Sequence, residues 1–410
     1  MGYKKILIFI LICFIISDTL FYIALSGFGD AYFTPILLFT KYISLFLLIN
    51  VARRTKWALG LPNSIYLSFK LFLGWNIVTI IHGAFKSSGY WDWKFLLLSS
   101  SLFMLIPLAF LVGKNLGYIR VVFYYTLRYL FLYGFLLLPL TFATNEELYS
   151  RIMIPVTFFI IFVPYLTKKQ QILVLGVAAL SFLMILDFRT NILKISLAIL
   201  LFGTFYLRRI ISVFWFKFLQ IVIFALPIIL LTLAITSQYN LFEDLAKNEG
   251  YSVKTKTFEE SNLAADTRTF LYVEVFNAVK ENSDWLIGKG ATGKYRSDYF
   301  TEGITGNMRA GSEVGFLNTL LYSGVVGVIL YGIMLFLSSY YAIYKSNNWL
   351  SKMLGILIAT RWLLFFLEEF TQFDLNFFFL WIIIGLVCTS KFRSMNDREI
   401  KSFLTFKRNN

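Results

Sequence analysis

Four side chains carry charge where a chain this apolar leaves charge little room. Arg189 sits in the short polar stretch Asp187-Phe-Arg-Thr-Asn-Ile-Leu193 between two hydrophobic runs. Arg268 opens an amphipathic stretch, and Arg309 precedes Glu313 by four residues at the mouth of another hydrophobic run. Guanidinium is permanently charged and binds phosphate oxygens in bidentate fashion, so such groups can neutralise a departing pyrophosphate without a metal. A carboxylate at Glu313 is either an acid favoured by the helix dipole or a general base in a partly dry cavity. Each arginine taken alone also fits interfacial snorkelling or loop solvation.

The remaining chemistry-bearing residues are few. His82 is the one histidine, which excludes a multi-histidine metal site and leaves an interfacial ring or a base. No Asp-X-Asp occurs, so the paired carboxylates that hold a divalent metal on a phosphate donor are missing, and neither metal nor cofactor is expected. Arg361 and Glu368 are seven apart, hence on one helix face, with Glu369 adjoining. They read as a structural ion pair or as substrate contacts, because charges within a membrane face a partner or a cavity. Cys13 and Cys388 fall inside the first and last apolar runs and cannot staple anything polar.

The elements that must position these groups are membrane helices. The chain is 58% hydrophobic, 19% aromatic and only 15% charged, more apolar surface than a soluble domain can hide. Its mean hydropathy is +0.70. The expected fold is all-α and polytopic, with about twelve spans. They are 6–25, 35–51, 66–85, 95–112, 121–142, 152–166, 172–186, 192–207, 213–236, 313–340, 353–370 and 375–389. The first, behind Lys4-Lys5, has no small-residue cleavage pattern and reads as a retained anchor.

The net charge of +15 lies in short Lys and Arg clusters between apolar runs and in the C-terminal tail. That distribution is a topology signal, not a nucleic-acid stripe. It places both termini in the cytoplasm and gives a division into helices over 1–236, an extracytoplasmic segment over 237–312, helices over 313–390 and a basic cytoplasmic tail over 391–410. The long polar segment holds about a third of the charged residues in under a fifth of the length. Within it, Asp266 is an N-cap candidate for an amphipathic helix with Leu271, Val275, Ala278 and Val279 on one face. Trp285 then leads into Leu286-Ile-Gly-Lys-Gly-Ala-Thr-Gly293, whose Gly288 and Gly290 would let backbone approach a ligand. No internal repeat or broken helix is legible, which argues against a transporter.

Taken in order, these residues resemble the bacterial O-antigen polymerase and O-antigen ligase superfamily of Wzy-type membrane glycosyltransferases. Arg189-Thr-Asn-Ile-Leu193 fits that family's Arg-X3-Leu element. Arg268 opens a loop helix that leads to the Gly288-Lys-Gly290 turn. Glu313 through Gly324 has the spacing of the His-X10-Gly element, followed by Val-Val-Gly327. The local similarity runs from 185 to 327.

The resemblance implies an enzyme of the cytoplasmic (inner) membrane that transfers a glycan from an undecaprenyl-pyrophosphate carrier to a sugar hydroxyl. In a polymerase of O-antigen or capsule, that hydroxyl belongs to a lipid-linked repeat unit. Arg189 and Arg268 would clamp the pyrophosphate and Glu313 would take the proton. Arg309, Arg361, Trp285, Gly288 and Gly290 are the candidates for substrate binding. Inversion at the anomeric carbon and independence of divalent metal are expected. A chain-length regulator and a flippase would be partners beside the lipid-linked glycan and the bilayer.

The family's ligases have histidine where this chain has Glu313. A carboxylate can take the same proton, and the change favours a polymerase over a ligase or a protein oligosaccharyltransferase. A transporter of lipid-linked sugars is the more distant alternative. The long segment is expected to act as a lid, with Tyr272, Trp285, Tyr295 and Tyr299 stacking on sugars or packing at the interface.

Overall fold

The structure is a computed structural model. It describes the chain outside residues 1, 26–29, 57–59, 144–148, 150–151, 185–188, 236–251, 255–259, 263–268, 282–283, 298–306, 370 and 406–410. The described residues form an all-α polytopic bundle. Its first half contains α1 (Tyr3–Leu25), α2 (Asp30–Ala52), α3 (Asn63–Lys86), α4 (Tyr90–Lys114) and α5 (Leu116–Tyr125). A π-helical turn at Thr126–Leu130 leads into α6 (Phe131–Ala143), followed by α7 (Val156–Phe162), α8 (Lys168–Leu183), α9 (Arg189–Tyr206) and α10 (Val213–Ile235). The polar segment contains α11 (Thr269–Glu281). The chain ends with α12 (Gly315–Tyr344), α13 (Trp349–Phe365), α14 (Leu375–Cys388), α15 (Ser390–Ser394) and α16 (Asp397–Thr405).

Each of the twelve expected segments contains one of these helices. Among the described residues, seven stretches are long and apolar enough to cross a bilayer: Tyr3–Ile23, Pro35–Ala52, Asn63–Lys86, Tyr90–Lys114, Leu116–Pro139, Val213–Leu233 and Gly315–Tyr344. Shorter apolar helices cover Val156–Tyr165, Thr190–Tyr206 and Leu375–Cys388. Position explains part of this difference. α14 is buried along its whole length and α13 along nearly all of it, so they are the centre of the bundle and touch protein on every side. Trp381 of α14 is fully buried among the rings of Phe69, Phe72 and Phe377. The backbones of α4 and α14 touch where a Cβ on Gly113 or Gly385 would strike a carbonyl oxygen of the other helix.

The outer faces are apolar in turn. Leu67, Leu71, Ile77 and Ile81 of α3 and Phe214, Trp215, Phe218 and Ile221 of α10 are exposed. Lipid is the solvent in which such faces are stable. Tyr90, Trp91 and Trp93 are exposed at the start of α4, where an aromatic belt would meet the headgroups.

Two expectations change. The C-terminal tail is folded onto the bundle: Arg393 Nη1 donates to the Lys345 carbonyl at 3.0 Å, and Asn348 Nδ2 donates to the Phe392 carbonyl at 3.1 Å. There is also a broken helix, which the apolar pattern of 313–340 conceals. α12 leaves helical geometry at Gly324 (φ 65°, ψ −171°), a left-handed φ that glycine adopts without a Cβ penalty.

The backbone groups freed at that break are met by the glycine-rich turn. Val325 N donates to Trp285 O at 2.7 Å, while Lys289 N and Gly290 N donate to Leu321 O at 2.7 Å and Tyr322 O at 3.0 Å. The turn's far side is held by α3, where Ala291 N donates to Thr79 O at 3.1 Å. A Cβ on Gly288 would lie 2.5 Å from the Tyr322 carbonyl carbon, and one on Gly290 would lie 2.5 Å from Gly83 N. The close approach expected at Gly288 and Gly290 is therefore made to α12 and α3 of the same chain.

Candidate functional site

The connection 366–374 between α13 and α14 lies outside the helices and begins with two adjacent carboxylates that face different ways. Glu368 forms a buried ion pair with Lys194 of α9, whose ammonium also donates to Asn191 Oδ1 at 3.2 Å. Thr190 hydrogen-bonds the same carboxylate. Burial alone would push the Glu368 carboxyl up, but the Lys194 and Arg361 charges outweigh it and hold it below the ordinary carboxylate range. The Arg-X3-Leu stretch is thus seated, through Thr190, Asn191 and Lys194, on Glu368.

Two other elements reach the same connection. Tyr272 of α11 donates its hydroxyl to the Phe366 carbonyl at 2.5 Å, and its ring stacks on Phe316 of α12. Residues Leu271, Val275, Ala278 and Val279 are buried, as the amphipathic pattern requires. The start of α12 is tied in by Gly315 N donating to the Glu368 carbonyl at 3.1 Å. Asn318 closes this junction: its Oδ1 accepts from Ser312 N at 2.6 Å, and its Nδ2 donates to Ser312 O at 3.0 Å and to Glu369 Oε2. The other Glu369 oxygen accepts from the backbone and hydroxyl of Thr371.

Glu369 lines a cavity of about 580 Å³ at the end of the bundle that carries the polar segment. Its described walls come from α1, α2, α3, α4, Ala310, α12, the 366–374 connection and Phe377 of α14. Burial raises the Glu369 carboxyl, the hydrogen bonds from Thr371 and Asn318 oppose that rise, and the Glu368 charge adds to it. The net direction is up, opposite to that of Glu368.

Residues 172–332 match the family model described as O-Antigen ligase. That stretch is similar to the O-antigen ligase and polymerase superfamily. Members of this superfamily are glycosyltransferase-like or ligase enzymes that act on lipid-linked glycans. No curated protein and no solved structure is significantly similar to the chain. The matched residues include α9, α11 and the start of α12, the elements that meet at 366–374, together with the glycine-rich turn and the break in α12.

The expected site residues are placed unequally. Arg189 is the first residue of α9, and Arg268 lies outside the described residues, one position before α11. Glu313 precedes α12 by two residues with its side chain about half exposed, and its Oε1 is 3.5 Å from Arg309 Nη2. Ala310 and Asn318, which flank it in sequence, line the cavity.

Arg361 is buried within α13. It donates to Asn376 Oδ1 at 3.4 Å and rests 5.0 Å from the centre of the Phe158 ring, while the close partner of Glu368 is Lys194. Trp285 is partly exposed and packs on Phe276. Tyr295 is fully buried, with burial pushing its phenol up to about 12, so like Tyr272 it serves packing; Tyr299 lies outside the described residues. His82 is half-buried beside the glycine-rich turn.

The cavity's own polar residues were not singled out by sequence. Asp18, Lys41, Asn76 and Asn318 are charges or amides inside apolar runs, and that pattern was the available signal.

Proposed function

We propose that this protein is a polysaccharide polymerase of O-antigen or capsule. It would transfer an undecaprenyl-pyrophosphate-linked glycan to a sugar hydroxyl of a lipid-linked repeat unit, with inversion and without a divalent metal. The observation that supports this reading most is the meeting of three motif-bearing elements, α9, α11 and the start of α12, at one connection beside one cavity.

In this mechanism Arg189 and Arg268 contact the pyrophosphate and stabilise the charge that develops as it leaves. Glu313, beside Arg309, takes the proton from the attacking hydroxyl. The hydroxyl oxygen forms the new glycosidic bond as the anomeric carbon–phosphate bond breaks, and the electron pair leaves on the pyrophosphate. Direct displacement inverts the anomeric centre. The ligase reading is the second one, since the matched domain is described as O-Antigen ligase.

The test is surface-polysaccharide length in a strain lacking the protein, complemented with wild type, Arg268→Ala or Glu313→Gln. Polymerase activity predicts that wild type restores a ladder of long chains and that both variants, present at normal levels, leave a single repeat unit. Long chains stranded on the carrier lipid in the deletion would make it a ligase. A restored ladder with either variant would remove that residue from the mechanism.

A further inference from the structure

Among the described residues that line the cavity there is no arginine. The Asp, Glu, Lys and Arg residues among its described lining are Asp18 of α1, Lys41 of α2, and Glu369 and Asp374 of the 366–374 connection, three carboxyls to one ammonium. Asp18 accepts from Leu375 N at 3.0 Å and Asp374 Oδ1 accepts from Phe377 N at 2.7 Å, so both are fixed by the start of α14. Lys41 lies over the rings of Phe21 and Phe373, with its Nζ 5.8 and 5.6 Å from their centres, and the charges of Asp18 and Asp374 act on it. Glu369, Asn318 and Asn76 line the same space.

Lys41 is the one cation in that described lining, too little charge to hold a pyrophosphate. Carboxylates and amides in a cleft with aromatic walls are instead suited to a saccharide: they accept from and donate to hydroxyls while rings cover its apolar faces. The volume lies in the range of pockets that enclose a small-molecule ligand. The elements bearing Arg189 and Arg268 contact the connection through Glu368 and Phe366, whereas the cavity meets it through Glu369 and onward.

We infer that this cavity is the acceptor-saccharide subsite, with Glu369 and the Asp18–Lys41–Asp374 group as its hydroxyl-binding residues. The assignment rests on the transferase reading above and names what that site takes. Most of its described wall lies outside residues 172–332, with Ala310 and α12 the exceptions. Acceptor choice is therefore carried by α1–α4 and the 366–374 connection, while the donor residues belong to the matched domain.

The experiment uses the full chain in nanodiscs and, as probe, the repeat-unit oligosaccharide released by mild acid from the lipid-linked fraction of a strain lacking the protein. Binding is measured by calorimetry, and transfer is measured in parallel with the lipid-linked unit. Lys41→Met and Glu369→Gln are expected to weaken binding and raise the acceptor KM about 10- to 100-fold, the effect of one hydrogen bond to a charged group. Their kcat should stay within a few fold of wild type.

Ser99→Phe, which fills the cavity from α4 and removes no charge, should do the same if the charge variants fail to fold. Wild-type affinity in Ser99→Phe, no binding by wild type, or a Glu369→Gln defect confined to kcat would each overturn the assignment. Oligosaccharide binding that Ser99→Phe abolishes, without transfer by wild type, would keep the saccharide site and remove the transferase reading.

Discussion

Glu368 and Glu369 are neighbours in the chain and opposites in the fold. Glu368 is buried against Lys194, Thr190 and Arg361, and its partners hold its carboxyl below the ordinary range. Glu369 faces a cavity on amide and hydroxyl donors, and burial holds its carboxyl above that range. One peptide unit separates a group whose work is to hold α9 against the bundle from a group with acceptor capacity left for something else. The same charge does two jobs because one side of the connection is closed by a cation and the other is left open.

That contrast can be tested through its largest consequence. Glu368→Gln leaves Lys194 buried without its counter-charge and should cost about 3–5 kcal/mol of stability. The double replacement Lys194→Met with Glu368→Met should recover most of the loss, because two apolar side chains need no counter-charge. Thermal unfolding in detergent decides it, and a single variant as stable as wild type would mean that the pair does not hold α9. On the donor side, Arg189→Ala and Arg268→Ala should each lower transfer about 100- to 1,000-fold, the range seen when a group that stabilises developing charge is removed. The acceptor KM should stay near wild type, which separates the donor side from the Glu369 side.

A smaller effect is expected at the break in α12. Gly324→Ala forces a Cβ into a left-handed conformation and against the Leu286 carbonyl, so stability should fall by at least about 1–2 kcal/mol. Faster hydrogen exchange at Lys289, Gly290 and Val325 should accompany that fall, since their amides bridge the turn and the helix.

The smallest expected difference concerns pH. A carboxyl raised on folding contributes stability that is present below its unfolded value and lost as pH rises through the folded one. Glu369→Gln lacks this loss, so the variant should gain on wild type as pH rises from about 4 to about 7.5, across and above the ordinary glutamate value. Melting temperatures that diverge toward low pH instead would show that Glu369 is stabilised as a carboxylate, like its neighbour.

The run of apolar segments was enough to expect helices and their order, because a bilayer core accepts few other structures and rewards about twenty apolar residues at a time. The buried face of α11 was equally legible, since Leu271, Val275, Ala278 and Val279 follow the helical period. The arginine and glutamate motifs marked which elements belong to the site. What stayed hidden had no periodic signature. The glycines at 288 and 290 announce tight backbone but not what approaches it, and the break at Gly324 lies inside an unbroken apolar stretch. Arg361 and Glu368 share a helical spacing, yet Glu368 lies beyond the end of α13 and its close partner, Lys194, comes from a distant part of the chain.

Sequence by itself determined the solvent of this protein, the number and order of its apolar segments, and the chemical types at its candidate site. All of these depend on local composition and on spacing along one helix. Tertiary structure alone decided which carboxylate is paired and which faces open space, and that Asp18 and Lys41 of the first two helices share a cavity with Glu369 near the last. Pairing and burial are set by distances between segments hundreds of residues apart, and those distances exist only after the helices have packed.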